Sequence, residues 1–125
     1  MEKYLFTVKN EAEVIIEEIL MLDSNFEFNI NGENYKIEYD KNSLIFNKDS
    51  IDSFFVLKYE HNVGTGTIFL KNEKQSLKIP LEYVAYKYTK SGFNLTYKFA
   101  SQEQSLQITF ENVKNNCWQR SAIMQ

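Results

Sequence analysis

Apolar and polar residues alternate along most of this chain. Glu27 and Asn29 separate Phe26, Phe28 and Ile30, and Lys36 and Glu38 separate Tyr35, Ile37 and Tyr39. Successive side chains of a strand point to opposite faces, so each run has one apolar and one polar side. Asn31-Gly32 lies between the two runs. Both residues tolerate positive φ, as a type I′ turn requires, and the segment reads as a hairpin.

The same period continues downstream. Leu77, Ile79, Leu81 and Tyr83 share one predicted face; Phe93, Leu95, Tyr97 and Phe99 share another; Leu106, Ile108 and Phe110 share a third. Turn-forming clusters occupy 40–43, 47–50, 62–66, 71–76, 90–92 and 101–104. Strands spaced about every 8–12 residues predict an all-β meander, barrel or sandwich. One apolar face per strand predicts antiparallel pairing. Pro80 cannot donate to a ladder, which places it at an edge or a bulge.

Residues 10–22 carry two signals. Asn10 and Glu13 have the spacing of a capping box, and Ala12, Ile15, Ile16, Ile19 and Leu20 recur with a helical period. The β-branched Val14-Ile15-Ile16 suits a strand instead. A short N-terminal helix is the favoured expectation, with a strand as the alternative.

A meander of about eight or more strands has two unpaired edges, and closing it into a barrel removes them. The expected architecture is therefore all-β, an antiparallel barrel over residues 1–113, followed by a tail at 114–125. Its inward residues would be large: Phe26, Phe28, Tyr35, Tyr39, Phe93, Tyr97, Phe99 and Phe110. They fit a filled core. They also fit an aromatic-lined cavity in which tyrosine hydroxyls fix a ligand. On that second alternative Phe28, Tyr35, Tyr39, Phe93, Tyr97, Phe99 and Phe110 line the site.

Composition narrows the chemistry. The 125 residues include ten Phe and eight Tyr and carry a net charge of −3. So much aromatic mass argues against disorder, and the acidic balance argues against nucleic acid as a partner. Cys117 is the single Cys, His61 the single His and Arg120 the single Arg. They permit neither an internal disulfide nor a Cys-based zinc site, and at most one bidentate anion clamp. Gly32, Gly64, Gly66 and Gly92 are too scattered for a phosphate-binding loop. Apolar runs stop at four residues, as in Ile19 to Leu22, so no membrane span is expected. MEKYLFTVKN lacks the apolar core of a signal peptide, so the expected compartment is the cytoplasm. Abundant Lys, Asn, Ile, Phe and Tyr with little Arg, Ala, Gly or Pro is the bias an AT-rich bacterial genome produces.

The hairpin Gly32-Glu-Asn-Tyr35-Lys-Ile37-Glu-Tyr39 resembles the G-x-x-Y-x-L-x-Y hairpin of a small bacterial calycin-like family of uncharacterised, lipocalin-like barrels. Gly92-Phe-Asn-Leu-Thr-Tyr97-Lys-Phe99 resembles a later strand of the same family, G-x-x-x-x-Y-x-L. The similarity spans residues 3–113 and implies a calycin-like barrel without implying an activity. The lipocalin Gly-x-Trp is missing, since the only Trp is Trp118, and so is the Arg-x-Tyr pair of fatty-acid-binding barrels. Only Lys98 on a late strand comes near the place of such a clamp, and alternation puts it on the wet face, so fatty-acid binding is not expected and a neutral apolar ligand is left.

Three further features have bland readings. Tyr59-Glu60-His61 suggests proton transfer, yet neighbours on a strand face opposite ways and no nucleophile accompanies them. Gly64-Thr-Gly-Thr67 suggests an anion nest, but without a following helix it reads as a flexible turn. Cys117 with Arg120 suggests a reactive thiol, but reads more simply as a spectator. The expected role is non-enzymatic, without cofactor or metal: binding of a small, neutral, mostly apolar ligand inside the barrel. The rival role is a protein-interaction module that uses a sheet edge or the C-terminal tail.

Overall fold

The computed structural model describes residues 1–113, and every regular element in them is a β-strand. The strands are β1 (Glu2–Asn10), β2 (Val14–Leu22), β3 (Glu27–Ile30), β4 (Glu33–Tyr39), β5 (Ser43–Asp49), β6 (Ser53–Glu60), β7 (Val63–Leu70), β8 (Gln75–Ile79), β9 (Leu81–Tyr88), β10 (Gly92–Phe99) and β11 (Leu106–Asn112). They form two antiparallel sheets, ordered β2-β1-β11-β10-β9 and β3-β4-β5-β6-β7-β8. Spatial order follows chain order throughout, and β11 returns to pair with β1 from Tyr4↔Asn112 to Asn10↔Leu106.

The hairpin at Asn31-Gly32 forms as expected, with φ of 53° and 83°. A second turn of the same hand joins β6 to β7 at His61 and Asn62, with φ of 53° and 64°. His and Asn tolerate that region better than most non-glycine residues. The turn is thus two residues long, and Gly64-Thr-Gly-Thr67 belongs to strand β7, not to a flexible loop. Glycine serves there by lacking a side chain. A Cβ on Gly64 would stand 2.9 Å from the Val84 Cβ and 3.1 Å from its Cγ2, so β9 lies directly on the β7 backbone.

Residues 14–22 are a strand, which corrects the expected helix. The capping signal is real but serves a different purpose. Asn10 Oδ1 accepts from the Ala12 and Glu13 amides at 2.8 and 2.9 Å and closes the β1–β2 turn. Beyond it, β-branched residues pair along β1 from Val8↔Ile16 to Glu2↔Leu22, and cross-strand partners override a short helical period. Ile15 is left unpaired by a register shift beside Val8, which spoils the alternation at that point.

Pro80 separates β8 from β9. Gln75–Ile79 pairs with β7 and Leu81–Tyr88 pairs with β10, and both segments run the same way. They act as one bent strand that passes from one sheet to the other, a usual way to turn a sheet corner. Opposite the bend, Lys98 pairs Tyr83 but Phe99 pairs Leu81, so Glu82 is an extra residue. That bulge reverses the parity of β9. Val84 and Tyr86 face the core, whereas Tyr83, expected to share the apolar face of Leu81, is 43% exposed. On the other flank no ladder joins β2 to β3.

The core lies between the sheets. Phe6, Phe93, Leu95, Ile108 and Phe110 of the first sheet meet Tyr35, Ile37, Leu44, Phe46 and Leu57 of the second. Aromatic rings fill the end of the interior near the 40–42 and 61–62 turns. Phe110 stacks on Tyr4 at 4.7 Å, and Tyr39 meets Phe93 edge-on at 5.0 Å. The tail 114–125, with Cys117, Trp118 and Arg120, lies outside the described residues.

Candidate functional site

The opposite end of the interior is less full. Between the sheets, near the 50–52 and 100–105 turns, lies a half-open cleft of about 330 Å³. That is near the lower bound of the ~300–1,000 Å³ typical of small-molecule sites. One wall carries Val8, Ile16, Tyr97, Phe99, Leu106 and Ile108; the other carries Tyr35, Phe46, Phe55 and Ile68. The alternation of β1, β10 and β11 on one side, and of β4 to β7 on the other, places these apolar groups inward.

Of the seven residues expected to line a ligand site, Tyr35, Tyr97 and Phe99 meet at this cleft. Tyr39, Phe93 and Phe110 lie in the filled aromatic region, and Phe28, stacked on Tyr35 at 5.3 Å, stands beside the cleft without lining it. Phe110 alone packs against Tyr4, Phe26, Phe28, Tyr39 and Phe93. Cavity and filled core therefore coexist, at opposite ends of one interior.

The polar groups of the cleft are sparse and of one kind. Burial, reinforced by the nearby Glu33 carboxylate, pushes the Tyr35 hydroxyl up to about 12. Burial and the neighbouring Tyr35 also push the Tyr97 hydroxyl up. Both phenols are neutral at pH 7, as an ordinary tyrosine is, and each has a hydroxyl proton that it can donate. Lys48, Ser50 and Ser53 complete the polar lining. Sequence reasoning did not single out Lys48, yet the signal was present. Leu44, Phe46 and Lys48 have the same parity on β5, and Lys48 pairs across strands with Tyr35 and Phe55. Its ammonium lies 3.5 Å from Glu33 Oε1, and the Ser50 hydroxyl donates to Glu33 Oε2. Lys98, by contrast, turns to the outer face and pairs with Glu82 at 3.0 Å.

A second depression, about 390 Å³, is polar and lies at the filled end among Lys41, Asn42, Tyr59, His61, Asn62 and Tyr86. His61 approaches Glu60 at 3.9 Å because it stands in the turn and not on the strand. Its side chain is 89% exposed, so the pair is solvated and gains little from its neighbours. The Tyr86 hydroxyl donates to the Asp40 carbonyl and is pushed up mainly by burial. This bond ties the 40–42 turn to β9. Among the described residues no group of three or more His, Cys, Asp or Glu side chains could hold a metal ion. No helix among them is long and apolar enough to cross a membrane.

Comparison of this chain with protein-family models, with curated proteins and with solved structures found no match.

Proposed function

We propose that the protein is a non-enzymatic binding module that takes a small, mostly apolar molecule into the inter-sheet cleft. The two sheets would act as an incompletely closed, calycin-like barrel, plugged by aromatic rings at one end and open at the other. The supporting observation is the cleft itself: apolar walls contributed by both sheets, with Tyr35 and Tyr97 among its lining residues. Few, well-placed polar groups in an apolar cavity are the usual make-up of a small-molecule site. The continuous strand order and the bent β8–β9 corner support the barrel reading. Ligand-observed NMR with octanol tests the binding. The expected result is saturable binding to the native chain and its loss in Leu106→Trp, which fills the cleft mouth. Binding that survives Leu106→Trp, in a variant with a native melting transition, would refute the assignment.

A second reading rests on β2. This edge strand leaves Val14, Ile15, Ile19 and Met21 between 41% and 54% exposed, beside a flank without a ladder. An extended segment of a protein partner could add to that edge. Substituting Ile19→Lys should then abolish partner capture and leave octanol binding intact.

A further inference from the structure

The cleft's polar lining is asymmetric in charge. Its lining residues include one cation, Lys48, and four that carry hydroxyls, Tyr35, Tyr97, Ser50 and Ser53, but no carboxylate. Glu33, of the same parity as Tyr35 on β4, stands beside Lys48 but is not among the lining residues. Ser50 occupies its Oε2, and Lys48 stands off its Oε1 at 3.5 Å, a loose contact for an ion pair. The Lys48 side chain is 39% exposed, and a lysine so placed can keep its charged head hydrated while its stem covers apolar surface. An ammonium carries three donors, and Glu33 is the one ion-pair partner of Lys48 among the described residues. A molecule seated along the apolar walls would thus meet donors and a positive charge at its polar end.

Building on the cleft assignment above, we propose that its ligand is a single-headed amphiphile with an anionic head, a monocarboxylate, whose head meets Lys48 while its chain lies between Tyr97, Phe99 and Ile108. Lys48 supplies the cation that alternation denies to Lys98. A carboxylate there keeps part of its hydration and gains a charge-assisted hydrogen bond, which avoids the cost of full burial.

The experiment compares octanoate, octanol and octylamine by isothermal titration at neutral pH, with native protein, Lys48→Met and Lys48→Arg. A hydrogen bond to a charged group is worth about tenfold or more in affinity. Native protein should therefore prefer octanoate to octanol by about tenfold and take octylamine most weakly. Lys48→Met should bring the octanoate-to-octanol ratio towards unity, and Lys48→Arg should restore it. Melting curves identify any variant that fails to fold, and the native comparison stands without the variants. Octanol bound as tightly as octanoate by the native chain would overturn the charge assignment and leave the cleft assignment standing. Binding of none of the three would overturn both.

Discussion

Replacing Gly64 by Ala probes how the two sheets meet. The added Cβ would fall within contact distance of the whole Val84 side chain, at 2.9 Å from its Cβ, 3.1 Å from Cγ2 and closer still to Cγ1. Carbon atoms pack best at about 3.5–4.0 Å, so β9 must retreat from β7 or Val84 must leave its rotamer. Overpacking of this kind costs about 1–3 kcal/mol, and the simultaneous clash with three atoms puts Gly64→Ala near the upper end. For a domain of this size that is a fall in melting temperature on the order of 10 °C. Val84→Ala alone removes two half-buried methyl groups and should cost about 1 kcal/mol. In the double variant both clashing γ carbons are gone, so it should be more stable than the sum of the single changes by about 1–2 kcal/mol. Urea denaturation of the four proteins measures the cycle. Additive costs, or a neutral Gly64→Ala, would refute the close approach of β9 to β7.

Other outcomes follow from the same structure. Phe110→Ala removes a fully buried ring shared by five aromatic neighbours and should cost about 3–5 kcal/mol in urea denaturation. Stability should fall as pH rises from about 10 towards 12, because the folded chain holds the Tyr35 proton more tightly than the unfolded chain. Below the unfolded value this contribution is fully present, and denaturation curves across that interval with Tyr35→Phe as control should show it. Glu17 and Glu18 interrupt the exposed apolar run of β2, and charges of this kind discourage edge-to-edge pairing. Glu17→Val with Glu18→Val should therefore raise concentration-dependent light scattering.

Strand alternation and the Asn31-Gly32 turn were legible because they depend on neighbours in the chain. The mistaken elements depend on partners far away. Ile15, Ile19 and Leu20 show a helical period only because β2 is an edge strand with apolar residues on both faces and one unpaired residue in its ladder. Tyr83 changes face because Glu82 bulges opposite β10, a shift written in pairing and not in the local sequence. Gly64 and Gly66 look like turn residues until Val84 is seen against the first. At the site, Tyr35, Tyr97 and Phe99 were readable as inward aromatics, but nothing in the sequence separates them from Phe93 and Phe110. That division depends on where the sheets splay. Lys48 was readable from the parity of Leu44 and Phe46 and was obscured by its place in a polar, turn-like stretch.

The half-filled interior is tested most directly by two-dimensional NMR of the native chain with saturating octanoate. The largest shifts should fall on Tyr35, Lys48, Tyr97, Phe99 and Ile108, with Tyr39, Phe93 and Phe110 nearly still. Shifts centred instead on Tyr59, His61 and Tyr86, or on the outer face of β2, would contradict it.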